Sequence, residues 1–258
     1  MTAPLPLEGA SVVDLSSGIA GAYCTKAMAD GGAEILKLEP PDGDALRRWA
    51  IGAEVGPDED GALFQFLACS KKSVVIDPAD PAGLQKAGAL VGGADAVVWS
   101  PGTPLADALD PHVLRERAPA VPVVSITPFG LEGPWADRAW TELTLQAWGG
   151  GIWHRGEPDR PPVQVGGRIG EWAAGTVAAI GLLLARTHAR RTGEGQLVYK
   201  GPRRIEGSTA GTSVVQELVR TGDFEAVLNW VIGLEEKVDF RVTTAASPSR
   251  LIVDFRNH

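Results

Sequence analysis

Between residues 11 and 126 short apolar runs alternate with helix-patterned segments, and this alternation limits the fold more than any other feature of the 258-residue chain. Residues 11–15 read as a strand, 16–21 as a small-residue loop, 22–29 as a helix, and 33–39 as a second strand stopped by Pro40 and Pro41. Further on, 73–76 and 96–99 read as buried strands, 81–91 as the helix between them, and 121–126 as another strand. Repeated alternation of strands and helices implies a parallel sheet covered on both faces, an α/β fold. The first loop holds Gly18 and Gly21 but no G-x-G-x-x-G. It therefore reads either as a tight strand-to-helix turn or as helix amides that hold a phosphate.

The pattern changes near residue 198. From Tyr199 onward eight Lys and Arg balance eight Asp and Glu, so the net charge of −8 belongs to residues 1–198, which also hold seventeen of the nineteen prolines. Beyond that point β-branched runs at 214–219, 227–232, 240–244 and 251–255 read as strands separated by turn signals. The expected organisation is an α/β domain over 1–198 and a short all-β segment over 199–258.

Composition then removes several classes of function. At 44% apolar and 22% charged residues the chain supports a globular core. Its acidic balance is unfavourable for a nucleic-acid surface, which leaves a small molecule as the expected partner. The densest apolar run, 172–185, is fourteen residues long and ends at Arg186. That falls short of the roughly 18 needed to cross a bilayer, so a buried core helix is expected and no membrane span. The first six residues have neither a positive n-region nor an apolar h-region, and a cytoplasmic location is expected. Cys24 and Cys69 lie in no CxxC motif and near no His, a pattern that supports neither a disulfide framework nor a metal site.

Residues 127–172 carry the densest unusual chemistry. Trp135, Trp140, Trp148, Trp153 and Trp172 fall there beside Gly149, Gly150 and Gly151. Such a set reads equally as a pocket lining or as core filling. Glu171 follows Gly170 and precedes the apolar helix, which puts its carboxylate at a helix N-terminus, where the dipole favours an anion. It reads as a surface cap, or as a nucleophile able to attack a thioester. His112, His154, His188 and His258 have no assignable catalytic partner.

Four segments carry a resemblance: "PLEGASVVDLSSGIAGAYCTKAMADGGAEILKLEPPDGDALR" from Pro6, "SKKSVVID" from Ser70, "SITPFGLEGPWADR" from Ser125 and "RTGEGQLV" from Arg191. With these the chain resembles the family III CoA transferases, a superfamily that also holds formyl-CoA transferase, carnitine CoA-transferase and α-methylacyl-CoA racemase. The resemblance implies a Rossmann-like large domain, coenzyme A as thioester substrate and product, a small carboxylic acid as second substrate, no metal, and an interlocked homodimer. It places Glu171 where the family carries a nucleophilic Asp. It assigns coenzyme A contacts to the backbone of Gly18, Ile19 and Ala20, to Ile76 beside the adenine, and to Thr127, Phe129 and Gly130 on the pantetheine side.

Some positions depart from the family pattern. Pro40 and Ala79 stand where basic residues occur in formyl-CoA transferase-like members, which leaves Lys71 and Lys72 as surface candidates for the phosphates. Trp140 and Thr141 replace the His and Asp of the racemases, so racemization is not expected. The resemblance stops at Val198, without the family's small domain and returning C-terminal segment, and this predicts a truncated large domain that does not complete the homodimer. Residues 199–258 resemble part of an AMIN-like β module through "GPRRI", "LVRTGDFEAVLNWVIGL" and "SPSRLIVDF". The expected function is acyl-CoA:carboxylate CoA transfer. The alternatives are a catalytically silent remnant that at most binds coenzyme A or a protein partner, and a thioesterase that uses water as acceptor.

Overall fold

A computed structural model describes residues 4–199 apart from 53, 57, 134, 153, 154 and 158, and beyond them the backbone of 204–205, 215–224, 227–234, 240–246 and 249–255. Six strands, β1 (Ser11–Leu15), β2 (Glu34–Glu39), β3 (Lys71–Val75), β4 (Ala96–Trp99), β5 (Val123–Ser125) and β6 (Leu197–Tyr199), form one parallel sheet in the order β3-β2-β1-β4-β5-β6. This order reverses between β1 and β4, as in dinucleotide-binding Rossmann sheets. The connecting helices are α1 (Gly18–Asp30), α2 (Ala62–Ala68), α3 (Pro81–Gly92), α4 (Pro104–Ala108), α5 (Pro111–Arg117), α6 (Glu142–Trp148) and α7 (Ile169–Thr192).

Alternating side chains feed two apolar layers. Val13, Leu15, Val97, Trp99 and Val123 join Ala87, Leu105 and Leu114 on one face of the sheet. Val12, Ala96, Val98 and Val124 join Cys24, Met28, Ala179 and Leu182 on the other. β3 differs from the buried strand expected at 73–76. It is the edge strand, half-open to solvent along its length, and Lys72 at its start keeps that edge charged.

Two helices also differ from expectation, each for a physical reason. α1 starts at Gly18 and absorbs four residues of the expected loop. Gly21 is inside the helix, where a Cβ would lie 1.9 Å from Ser16 Oγ, so the small residue serves close packing and not a turn. α7 buries a single stripe, Glu171, Gly175, Ala179, Leu182 and Ala185, against α1 and the sheet, whereas Val177, Ile180, Leu183 and Leu184 are exposed. It is therefore not the wholly buried helix predicted from its composition. At 24 residues it is also, by length and composition alone, the one described helix able to cross a membrane.

Residues 1–142 and 165–201 form one compact unit, and 143–164 with 202–258 form another. In the second unit β7 (Arg204–Ile205), β8 (Val215–Phe224) and β9 (Val227–Leu234) make an antiparallel sheet, and β10 (Phe240–Ala246) and β11 (Ser249–Phe255) make an antiparallel pair.

Candidate active site

The strand order reverses where β1 and β4 end, and open α/β sheets place their ligands at that crevice. The two loops are tied together there. Ser17 donates its N–H to Ser100 Oγ at 2.8 Å, and Ser100 Oγ donates back to the Ser17 carbonyl at 3.2 Å. α1 begins at this point with no side-chain cap from Ser17. The first-turn N–H of Ile19 donates instead to Glu171 Oε2, 2.9 Å away and 152 residues along the chain.

Glu171 thus lies between two helix N-termini. It occupies the first turn of α7 and accepts from the first turn of α1. Only 7% of the residue is exposed. Its Oε1 accepts no hydrogen bond of good geometry and lies against the Arg168 guanidinium. Gly18, at φ +78°, leaves room for the carboxylate, because a Cβ there would sit 3.3 Å from Oε2. Trp172 stacks edge-on against Tyr23 with ring centroids 4.9 Å apart and donates Nε1–H to the Gly167 carbonyl. The Gly170 N–H donates to Glu142 Oε1 at 2.8 Å, which anchors the start of α7 from another element.

The expected site residues are distributed unevenly. Gly18 and Ile19 meet Glu171 at the head of α1, whereas the Ala20 carbonyl faces Gly175 one turn further along α7. Ile76 is 2% exposed, belongs to the core that includes Leu15 and Leu38, and donates its N–H to the Glu39 carbonyl, so it offers no surface to a ligand in this structure. Thr127, Phe129 and Gly130 form a turn after β5, in which the Gly130 N–H donates to Thr127 Oγ1 and Phe129 packs edge-on against Trp135. A cavity of about 330 Å³ opens beside Glu39, Arg47, Asp60, Phe64 and Ser73, and another of about 360 Å³ beside Ser11, Ile35 and Leu90. Glu171 lines neither of them.

Lys71 is a correction. It is not a surface cation open to phosphate: its ammonium is buried, donates to the Ala22 carbonyl and Thr25 Oγ1, and lies 3.6 Å from Asp14. Lys72 is exposed and pairs with Glu34. Asp14, wholly buried on β1, also accepts from Ser16 and Thr25 and faces Lys37 at 3.9 Å. Burial alone would raise its carboxyl, but Lys37, Lys71 and those hydrogen bonds outweigh burial and hold it below the usual range. Burial likewise lowers Lys71 and pushes the nearby Cys24 thiol up to about 12. These contacts fix the β1–α1 turn that presents Ile19.

Sequence reasoning missed Arg168 altogether. Its one signal was the i, i+3 spacing to Glu171, which brings two side chains onto one helical face.

The profile of CoA-transferase family III matches residues 7–223. The chain belongs to that family. The match runs past Val198, where the motif resemblance stops. Among curated relatives of this family III chain, the succinyl-CoA–D-citramalate CoA-transferase of Chloroflexus aurantiacus is 36% identical over 201 residues, 77% of this chain and 49% of the relative. The succinate–glutarate CoA-transferase of Agrobacterium fabrum is 33% identical over 74% of this chain and 49% of its own length. The chain spans about half the length of the curated relatives it matches. A crystal structure of a CAIB/BAIF family protein from Brucella suis superposes with a TM-score of 0.68 at 27% identity, covering 85% of this chain and 66% of that one.

Proposed function

We propose that this family III chain transfers coenzyme A from an acyl-CoA to a free carboxylic acid, with Glu171 as the nucleophile. The observation that carries the reading is a buried carboxylate at the sheet's switch point, one oxygen of which is held by the Ile19 amide while the other faces the Arg168 guanidinium. A carboxylate poised in this way attacks the thioester carbonyl through Oε1, and the C–S bond breaks to release coenzyme A as a thiolate and leave a mixed anhydride. The thiolate then attacks the glutamyl carbonyl, the donor acid leaves as its carboxylate, and a glutamyl-CoA thioester remains. The acceptor carboxylate repeats both steps in reverse order, which restores the Glu171 anion and yields the new acyl-CoA.

Burial of Glu171 favours a carboxylate acceptor over water, which supports transfer above thioester hydrolysis. The names of the Chloroflexus and Agrobacterium relatives support short dicarboxylic acids and their coenzyme A esters as the substrate class. Coenzyme A is here a substrate, held by the backbone of Gly18, Ile19 and Ala20 and by the Thr127–Phe129–Gly130 turn.

Incubation with succinyl-CoA and hydroxylamine tests the reading, because hydroxylamine converts either covalent intermediate into a hydroxamate. Modification at Glu171 is the expected result. Modification at another residue, or undiminished transfer by Glu171→Ala, would overturn it.

A further inference from the structure

Arg168 has no part in the mechanism above, yet its placement is costly and specific. It is the N-cap of α7 and sits in the left-handed region, φ 55° and ψ 45°, one of two non-glycine residues at positive φ among the described residues. A side chain held in such a conformation needs compensation, and functional sites are where it concentrates. From there the guanidinium reaches Glu171 Oε1, its one charged partner among the described residues. The two groups differ in access: the Arg168 side chain is 38% exposed and the Glu171 side chain 9%. The cation is therefore the more solvent-accessible member of the pair, beside a carboxylate that is nearly buried.

The geometry points to Arg168 as an acid-binding residue that exchanges carboxylates during turnover, pairing with Glu171 in the resting enzyme and with the free acid substrate once Glu171 is covalently occupied. The inference rests on the Glu171 reading above. When Oε1 attacks the thioester and the thiolate leaves, Glu171 gives up its charge to a neutral anhydride. When the thiolate breaks that anhydride at the glutamyl carbon, the C–O bond electrons leave with the donor acid, whose reacting end becomes a carboxylate anion. No proton and no external electron enters either step. Arg168 has then lost its partner, at the moment when an anion is released beside it. A guanidinium left without a partner in a partly desolvated site binds an incoming carboxylate strongly, and its planar fork orients both oxygens. The acceptor acid occupies the same place before it attacks the glutamyl-CoA carbonyl. Water carries no such charge, so the same device selects the acid over hydrolysis.

Arg168→Gln and Arg168→Lys test this, with transfer from succinyl-CoA to glutarate and hydroxylamine trapping measured on each variant of the 258-residue chain. Arg168→Gln is expected to raise the KM for glutarate about 10- to 100-fold. The KM for succinyl-CoA should stay within about twofold and trapping at Glu171 should persist, with more hydrolysis for each transfer. Arg168→Lys keeps the charge but loses the fork, and should fall between Arg168→Gln and the parent protein. An unchanged glutarate KM with intact trapping would overturn the exchange. So would loss of trapping in both variants, which would make Arg168 a support for Glu171 only. Failure of the parent protein itself to trap would overturn the Glu171 reading, and the exchange with it.

Discussion

Gly175 of α7 faces the backbone carbonyl of Ala20 in α1, and a Cβ on it would lie 2.5 Å from that oxygen. This contact sets how closely the two helices approach. Glu171 lies one turn before Gly175 on the same buried stripe, and Ile19 directly precedes Ala20. The glycine contact and the carboxylate–amide hydrogen bond are therefore two rungs of one helix pair, and the spacing that the first permits makes the second possible.

Gly175→Ala should consequently disturb both stability and the site. Ala gains about 1 kcal/mol of helix propensity over Gly, but the added carbon meets backbone, which no rotamer change relieves, and overpacking of this kind costs about 1–3 kcal/mol. A net fall in Tm of a few degrees is expected by thermal denaturation, with about a 100-fold loss of transfer rate as Glu171 shifts by about 1 Å.

Acid sensitivity should centre on Glu39. Burial would raise its carboxyl, but hydrogen bonds from Arg47, Ser73 and the Asp44 amide lower it from 4.5 to about 2. A carboxyl depressed in the folded state lends stability that is fully present above about pH 4.5 and is lost as pH falls through the folded value near 2. That difference corresponds to at most about 3.4 kcal/mol. Denaturant titrations between pH 6 and pH 2 should show the loss in the parent protein and a flatter profile in Glu39→Gln. Arg47→Met should be worse at neutral pH, by about 3–5 kcal/mol, because it leaves a buried carboxylate without its cation.

The two cysteines should react at very different rates. Cys69 is exposed, whereas Cys24 is buried on the face of α1 that packs against the sheet, with its thiol pushed up to about 12. A disulfide reagent at pH 8 should titrate one thiol quickly and the second only on unfolding, since the thiolate is the reactive form. Rapid loss of both thiols from the folded protein would contradict the burial of Cys24.

The sheet was legible because Val12, Val13, Leu15, Ile35, Leu38 and the whole of β4 are apolar and lie between helix-patterned segments, although Asp14, Lys37 and Glu39 are buried among them. What the sequence left obscure depends on partners far along the chain. The start of α1 could not be read locally, because its cap is a carboxylate 152 residues away. Lys71 reads as a surface lysine at the edge of a strand, yet across the sheet it meets Asp14 and Thr25, which neither spacing nor composition connects to it. The stripe on α7 reads as uniformly apolar, although its small residues face α1 and several of its large ones face solvent. In the candidate site, Glu171 and the Gly18–Ile19–Ala20 backbone were visible from the motifs. Arg168 was not, because its role depends on a left-handed backbone angle.

Changes to the length and charge of Glu171 should separate its proposed role as nucleophile from its contact with the first turn of α1. Glu171→Gln keeps an acceptor for the Ile19 N–H but removes the anion, so the fold should survive with Tm within a few degrees while transfer falls by on the order of 1,000-fold or more. Glu171→Asp keeps the anion but withdraws it by one methylene from a place shaped by the Ile19 amide and the open side of Gly18. A displacement of about 1 Å is expected to lower the rate about 100-fold while hydroxylamine still traps the shorter carboxylate. Steady-state rates and intact-mass trapping on the two variants distinguish these outcomes. A Glu171→Gln protein that transfers coenzyme A at the parent rate would reduce Glu171 to a helix cap.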